Sequence, residues 1–377
     1  MYQNKTQKSI TRKDFLKLLS AVGGSIFAAP ILNACQRLGL IEPTATSPAL
    51  SSIANMSTST LEPVPTSTAA PVEQVEEGIA RLAFVKSRDR AAGVRKAIEL
   101  LNINPVQGKR ILLKPNFNSA DPAPASTHPD TLRSLIESLQ YMGAGHITLA
   151  DRSGMGHSRQ VMQSLGIFEM AEELGFETLS FEDLQNETDW ELIQFEGSHW
   201  QNGFPFARPV LEADAVVQTC CLKPHRFGGH FTLSLKNTVG MVGKYKGAGG
   251  YNYMNELHSS PYQRLMIAEA NLAYTPALVV LDGVEAFIDN GPDMGTKVFG
   301  DVILAGTDRI AIDAVGLAIL RFLGYQGVAS TGSIFQQEQI ARAVSLGLGI
   351  DSPEKIRFIT DEADSQAYIE QILGYLT

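Results

Sequence analysis

Cysteine is scarce in this sequence of 377 residues and occurs at positions 35, 220 and 221. No C-x-x-C spacing is present, which excludes a zinc site built from thiolates and an iron–sulfur cluster ligated by cysteines alone. Adjacent cysteines rarely bond to each other, because the small ring strains the intervening peptide. Cys220 and Cys221 are therefore predicted to be small apolar side chains in a buried strand, with a metal or redox role as the alternative.

Long basic runs and the common catalytic motifs are also absent. The formal net charge is −9, which argues against nucleic-acid binding, because neutralising phosphates needs clustered lysine and arginine. The sequence contains no G-x-S-x-G elbow, no Walker loop, no H-E-x-x-H and no G-x-G-x-x-G after a strand. These absences argue against the hydrolase, nucleotide-binding and zinc-protease classes that those motifs define.

The first 35 residues have the features of an export signal. The segment TRKDFLK at 11–17 precedes a short apolar run at 18–32, an order that is typical of secretory signals. TRKDFLK resembles the twin-arginine export motif, with Lys13 in place of the second arginine. The segment Leu32–Cys35 resembles a bacterial lipobox, which predicts a lipidated Cys35 and a membrane-anchored lipoprotein of the cell envelope. The alternative is a general secretory signal with an incidental cysteine.

Residues 36–76 are rich in serine, threonine, proline and alanine and contain no aromatic residue. Such a segment cannot bury enough apolar surface to offset the entropy cost of ordering it. It is interpreted as a flexible tether that holds a folded domain, residues 77–377, off a membrane surface. The alternative is a disordered leader without an anchor.

The rest of the chain alternates between strand and helix patterns, and 44% of the whole sequence is hydrophobic, enough for a large core. Strands are predicted near 81–87, 109–116, 146–151, 176–181, 213–221, 276–283 and 300–306. Helices are predicted near 90–101, 128–143, 260–272, 308–323 and 333–346. The alternation predicts an α/β fold with a largely parallel sheet and helices on both faces, and leaves room for a smaller inserted subdomain.

Polar residues follow many of the predicted strands. In a parallel sheet, ligands bind at the carboxyl ends of the strands, so these residues predict the rim of a pocket. Taken singly, each could instead be a turn former or a solvated charge. The residues are Lys114, Asn116, Asp151, Lys223, His225, Asp282 and Asp308.

The segment KPHRFGGHFTLSLKNTVGMVGKYKG, which begins at Lys223, concentrates positive charge, histidine and glycine in an acidic chain. Glycine-rich backbone amides and helix N-termini attract anions, and Lys223 or Lys236 adds a full charge. The segment is predicted to clamp a carboxylate or phosphate, with His225 and His230 placed to act as ligands or acid–base groups. The alternative, preferred for His230 and Lys246, is a solvated face with histidines that shape a loop.

Five segments occur in this order: ILLKPNFN, STHPDTLRSLIESLQYMGAGHITLADRSG, CCLKPHRFGGHFTLSLKNTVGMV, DGVEAFIDNGPDMGTK and GDVILAGTDRIAIDAVG. Together they resemble the DUF362 family, an uncharacterised domain family, over about residues 110–325. Some members of that family add a ferredoxin-like module with cysteine-ligated clusters, but this chain lacks the cysteines, so no such cluster is expected. The loop around KPHRFGGH is also similar to the His/Gly/Lys loop of the lactate racemase family, which uses a nickel cofactor.

The sequence thus predicts binding of a small anionic ligand, with or without its chemical transformation, and leaves a metal ion or another cofactor open. The alternative is a non-catalytic ligand-binding lipoprotein. The residue types that hard or borderline metals accept are present at His128, His225, Asp151 and Asp282. The predicted catalytic residues are His225, Lys236 and Asp151. The predicted ligand-binding residues are Lys114, Asn116, Thr127, His128, Lys223, Asn237 and Asp282.

These side chains are expected to converge on one pocket at the edge of the sheet. The expected loss on removing one charge-assisted hydrogen bond is roughly ten- to a hundredfold in binding. Stability is expected to change little, because the lysines are expected to be exposed. The six residues predicted to surround the pocket are Lys223, His225, Lys236, Asn237, Lys114 and Asn116.

Overall fold

A computed structural model of the chain describes residues 78–377. The predicted export signal, the predicted tether and the lipidation site Cys35 lie outside these residues. Between residues 78 and 377, no helix is long and apolar enough to cross a lipid bilayer.

A nine-stranded sheet organises the described part of the chain. Its strands are β1 (Ala80–Lys86), β2 (Arg110–Lys114), β3 (His146–Asp151), β4 (Glu177–Ser180), β7 (Ala215–His225), β8 (His230–Thr232), β9 (Pro276–Phe287), β10 (Lys297–Gly306) and β11 (Ile356–Ile359). The order in space is β11-β1-β10-β9-β7-β2-β3-β4, with β8 paired to β7. The five strands from β9 to β4 run parallel to one another, whereas β10 is antiparallel to both its neighbours. The predicted α/β fold with a largely parallel sheet is confirmed.

Helices pack on both faces of this sheet, as predicted. They are α1 (Arg90–Leu101), α2 (Pro129–Tyr141), α3 (Ser158–Ser164), α4 (Ile167–Leu174), α5 (Arg208–Leu211), α6 (Ser234–Asn237), α7 (Tyr253–Ser259), α8 (Gln263–Ala270), α9 (Arg309–Phe322), α10 (Glu338–Ser345) and α11 (Ala363–Leu376). Side chains alternate along each strand and so face two cores. In β1, Leu82 and Phe84 face a core shared with α9 and α11, whereas Ala83 and Val85 face a core shared with α1 and α2.

Strand β7 is buried along its whole length, because it lies in the middle of the sheet with helices on either side. Cys220 and Cys221 lie in this strand as free, buried thiols, and burial raises the pKa of Cys221 to about 11. The prediction of two small side chains in a buried strand is confirmed. The strand continues past the predicted end at residue 221 as far as His225, because Lys223 and His225 pair with β8 in a hairpin.

A small two-stranded sheet is inserted between β4 and β7 and consists of β5 (Trp190–Ile193) and β6 (Phe204–Ala207). Trp190 and Phe204 belong to a third apolar cluster, to which Leu257 of α7 and Met266 of α8 also contribute. This cluster fixes α7 and α8 beside the carboxyl edge of the main sheet.

Candidate functional site

A cavity of about 480 Å³ lies at the edge of the sheet where β2, β3 and β7 end. Lys114 is the last residue of β2, Asp151 of β3 and His225 of β7. Because parallel strands present their carboxyl ends at one edge, these three side chains come together there. The loops and helices that come after these strands contribute further polar side chains to the lining, among them Asn116, Arg152, Lys236, Asn237, Lys244 and His258.

A buried ion pair forms the floor of the site. Lys114 Nζ lies 2.7 Å from Asp151 Oδ1, and the two side chains are only 1% and 2% exposed. Burial opposes both charges, since it lowers the pKa of the Lys114 ammonium and raises the pKa of the Asp151 carboxyl. The carboxylate is nevertheless well satisfied, because it also accepts the backbone N–H groups of Phe117 at 2.8 Å and Arg152 at 2.7 Å.

A chain of hydrogen bonds extends from this ion pair along the site. Asn237 Oδ1 accepts from Lys114 Nζ at 3.0 Å and from Asn116 Nδ2 at 3.4 Å. Asn116 Oδ1 in turn accepts from Lys223 Nζ at 2.7 Å. The orientation of the Asn237 amide is set by its other end, where Nδ2 donates to the backbone oxygen of Thr219 at 3.2 Å. The chain holds both asparagine amides in one orientation at the cavity wall.

Gly240 allows the loop after α6 to pack directly against the ion pair. A Cβ atom at this position would lie 2.6 Å from Asp151 Oδ1 and 2.7 Å from Lys114 Nζ. Both distances are shorter than any unstrained contact, so a side chain here would displace one of the two charged groups. This close approach gives a physical reason for a glycine in the segment GMVGK.

Helix α6 carries Lys236, and the buried carboxyl group of Asp313 anchors its first turn. Asp313 Oδ1 accepts the backbone N–H of Ser234 at 2.7 Å, and Asp313 Oδ2 accepts that of Leu235 at 3.2 Å. Burial raises the pKa of Asp313 to about 8 despite these hydrogen bonds. The apolar side chain of Leu235 is fully buried beside it. These contacts hold the short helix in place and thereby position Lys236 at the cavity.

Lys236 is a cation without a counter-charge. Burial and, to a smaller extent, the charges of Arg152, Lys223 and Lys114 together lower the pKa of its ammonium to about 7. No carboxylate within residues 78–377 raises this pKa or forms an ion pair with Lys236. Near neutral pH this side chain is therefore divided between its charged and its neutral form.

Neutral His225 lies on the same wall and is only 6% exposed. Burial lowers the pKa of its imidazole well below the usual range, and the charge of Lys236 acts in the same direction. Its Nδ1 accepts a hydrogen bond from the backbone N–H of Gly229 at 3.2 Å. The proton of the neutral ring is therefore on Nε2.

Positive charge dominates the cavity wall. Among the described residues, the lining cations are Lys114, Arg152, Lys236 and Lys244, and the lining carboxylate is Asp151 alone. Asp151 is already paired with Lys114. The guanidinium of Arg152 donates to the backbone oxygens of Val242 at 3.0 Å and Val239 at 3.1 Å, and the charges of Asp151 and Glu182 attract it.

The structure brings five of the six residues predicted to surround the pocket to one cavity: Lys114, Asn116, His225, Lys236 and Asn237. Asp151, a predicted catalytic residue, lies there too. Lys223 lies behind the wall rather than on it, because its Nζ is turned towards Asn116 and the backbone oxygen of Ala125.

Three other predicted ligand-binding residues lie outside the cavity and have structural contacts. Thr127 Oγ1 accepts the backbone N–H of Asn116 at 2.8 Å and shapes the loop after β2. His128 is the N-cap of α2, where its Nδ1 accepts from Asp130 N at 3.1 Å. Asp282 is paired with Arg90 at 2.9 Å and also accepts from the Thr131 hydroxyl.

Asp308, His230 and Lys246 also lie away from the cavity. Asp308 caps α9 by accepting the backbone N–H groups of Ile310 and Ala311. His230 begins β8 with a φ of 62°, in the left-handed region that a hairpin can require. The preference for a structural interpretation of His230 and Lys246 agrees with this placement.

The expectation of exposed lysines is wrong for two of them. Lys114 and Lys223 are each 1% exposed. They are buried because Lys114 belongs to β2 and Lys223 to the extended β7, and both strands lie inside the sheet. Burial lowers the pKa of Lys223 to about 8. Replacing either residue is therefore expected to lower stability, contrary to the expectation from the sequence.

Among the charged and histidine side chains that line the cavity, three were not predicted from the sequence: Arg152, Lys244 and His258. Arg152 directly follows Asp151, so the rule of polar residues at strand ends could have found it. His258 comes from α7, whose position is set by packing of Leu257 in the third apolar cluster. No local pattern in the sequence indicates that contact.

No group of three or more histidine, cysteine, aspartate or glutamate side chains within residues 78–377 is arranged to hold a metal ion. His128 and Asp282 lie outside the cavity that contains His225 and Asp151. The four residues named as possible metal ligands are thus not gathered at one point.

Comparison with known proteins yields one relative and one solved structure of note. Thylakoid-associated protein sll1697 of Synechocystis sp. is 26% identical over 217 residues, which cover 57% of this chain and 64% of that protein. The chain therefore spans somewhat less than two thirds of the length of this relative. The lactate racemase apoprotein from Thermoanaerobacterium thermosaccharolyticum matches with a TM-score of 0.39 and 17% identity, over 61% of this chain and 54% of that one. A similarity of that size says nothing about the activity of this chain.

A family model, described as a domain of unknown function, matches residues 111–318. The match covers more than half of the 377 residues and contains the ends of β2, β3 and β7 together with α6, which form the cavity. The expected resemblance is confirmed over this range, and the chain belongs to the DUF362 family.

Proposed function

We propose that the cavity binds a small anion, a carboxylate or a phosphate, and that Lys236 is its principal charge partner. The observation that carries this proposal is the ammonium of Lys236, which has no counter-charge in a cavity whose one lining carboxylate is already paired. A bound anion would supply the missing charge. It would also raise the pKa of Lys236 and thereby favour the ammonium form.

The remaining polar groups orient the anion. Asn116 and Asn237 are held by the hydrogen-bond chain, and Lys114 and Asp151 form its rigid base. Because Asp151 accepts two backbone N–H groups and pairs with Lys114, its role here is to position Lys114 rather than to exchange protons. His225 offers an Nε2–H donor. Preorganised donors of this kind favour binding, because little order is lost when the ligand arrives.

Chemical transformation of the anion is the second part of the proposal. Lys236, with a pKa of about 7, can give or accept a proton near neutral pH, and the neutral His225 beside it offers its Nε2–H as a donor. Solvent-deuterium incorporation into a bound carboxylate, followed by mass spectrometry, tests this step. Binding without exchange or turnover would favour the alternative of a non-catalytic binding lipoprotein.

We also propose that the protein is exported and tethered to a membrane. They are supported by the order of the TRKDFLK segment, the apolar run, the lipobox-like Leu32–Cys35 and the aromatic-free segment at 36–76. The name of the Synechocystis relative associates that protein with thylakoids, which is compatible with a membrane location for this chain.

The binding proposal is tested by isothermal titration calorimetry with acetate and with inorganic phosphate at pH 6.5. Lys236→Met is expected to weaken binding roughly ten- to a hundredfold, since a charge-assisted hydrogen bond is lost. Lys246→Met is the matched control, because this lysine belongs to the same segment of the sequence but does not line the cavity. Equal losses in both variants would sink the proposal.

A further inference from the structure

Two histidines line the cavity, and their ring protons are fixed in opposite ways. His225 Nδ1 accepts the backbone N–H of Gly229 at 3.2 Å. A ring nitrogen that accepts a hydrogen bond carries no proton, so the neutral His225 ring has its proton on Nε2. Its Nδ1 edge is covered by Gly229, and Nε2 is the edge left for the cavity.

His258 has the reverse arrangement. Its Nδ1 lies 2.7 Å from the backbone oxygen of Met254, one turn earlier in α7. A carbonyl oxygen can only accept, so the proton of His258 is on Nδ1 and Nε2 carries a lone pair. Because the Nδ1 edge is turned to its own helix, Nε2 is the edge available to the cavity that His258 lines.

Both rings are neutral near pH 7, since desolvation and the nearby charge of Lys236 lower the pKa of each. Within residues 78–377, no side chain or backbone group forms a hydrogen bond to Nε2 of either ring. The cavity therefore presents one imidazole donor, at His225, and one imidazole acceptor, at His258. The lining cations supply only donors, whereas the lone pair of His258 Nε2 is an acceptor to which no described protein group donates.

We propose that the anion bound here carries a hydroxyl group, which donates to His258 Nε2 while the anionic oxygens face Lys236 and the Nε2–H of His225. This inference rests on the proposed anion site and adds the chemical class of its ligand. A small hydroxycarboxylate fits this pattern. An amino acid fits it less well, because its ammonium group would be repelled by Lys236 and by the other lining cations, which outnumber the carboxylates that line the cavity.

The test compares two probes that differ by one hydroxyl, acetate and glycolate, by calorimetric titration of the whole chain at pH 6.5. The wild-type protein is expected to bind glycolate roughly three- to tenfold more tightly than acetate, the gain from one additional hydrogen bond. His258→Phe retains a planar ring and removes the acceptor, and is expected to bring the glycolate-to-acetate ratio close to one. Lys246→Met, which lies off the cavity, is expected to retain the wild-type ratio.

The ring protons are measured separately, by long-range ¹H–¹⁵N spectra of the histidine side chains in the unliganded protein. We expect the Nε2–H tautomer for His225 and the Nδ1–H tautomer for His258. Equal affinities for acetate and glycolate, or an Nε2–H tautomer at His258, would overturn the hydroxyl inference and leave anion binding intact. Binding of neither probe would overturn the anion site itself and the inference with it.

Discussion

Replacement of Lys114 by Met is expected to destabilise the protein strongly at neutral pH. The ammonium lies 2.7 Å from Asp151 Oδ1, and both side chains are at least 98% buried. Removing one partner of such a pair leaves an uncompensated buried charge, which costs about 3–5 kcal/mol. The two backbone N–H groups that Asp151 accepts from Phe117 and Arg152 reduce this loss but do not replace the cation.

The pH dependence of the Lys114→Met variant gives an independent check. Burial already raises the pKa of Asp151 above its ordinary value, and loss of the ammonium raises it further. A carboxyl whose folded pKa lies above its unfolded pKa contributes stability at low pH that is lost as the pH rises through the folded pKa. The deficit of the variant relative to wild type is therefore expected to be smaller at pH 5 than at pH 8.

Urea denaturation of wild type, Lys114→Met, Asp151→Asn and the double variant measures the pair directly. The double variant is expected to be more stable than Lys114→Met alone, because asparagine retains an acceptor and removes the buried charge. Ordinary surface substitutions change the free energy of unfolding by no more than about 0.5 kcal/mol. A change that small for Lys114→Met at pH 7 would refute the reasoning.

Three further results are expected. Acetate affinity falls as the pH rises from 6 to 8, because the ammonium of Lys236, with a pKa of about 7, gives up its charge over that range; a flat profile in calorimetry contradicts this. Gly240→Ala lowers the unfolding free energy by about 1–3 kcal/mol through overpacking, whereas Gly249→Ala, with no atom within 4 Å of the added Cβ, serves as the control. Cys35→Ala releases the protein from membranes in fractionation experiments, unless the proposed lipid anchor is wrong.

The convergence of Lys114, Asp151 and His225 could be predicted from the sequence, because it depends on strand order and direction alone. Alternating strand and helix patterns predict a parallel sheet, and the last residues of parallel strands share an edge. The partner of each side chain could not be predicted in the same way. Asp282 also comes from a strand in this sheet, yet it pairs with Arg90, accepts from the Thr131 hydroxyl and does not line the cavity.

The burial of Lys223 depends on a tertiary feature that no periodicity indicates. Strand β7 continues to His225 because β8 pairs with its end, so Lys223 lies inside the sheet and not in a loop. His258 reaches the cavity through α7, and Asp313 reaches the start of α6 from a helix 79 residues further along the chain. Such contacts arise from the packing of elements that are distant in the sequence. The local pattern of polar and apolar residues therefore does not predict them.

The central claim is that the Lys236 ammonium is the charge partner of a bound anion. NMR titration of the lysine side chains, labelled by ¹³C reductive methylation, measures its pKa with and without saturating acetate. We expect a pKa of about 7 for Lys236 in the free protein and a rise of roughly one unit or more with acetate, equivalent to about 1.4 kcal/mol, with no change at Lys246. A Lys236 that titrates near the ordinary lysine value, or that is unaffected by acetate, would contradict it.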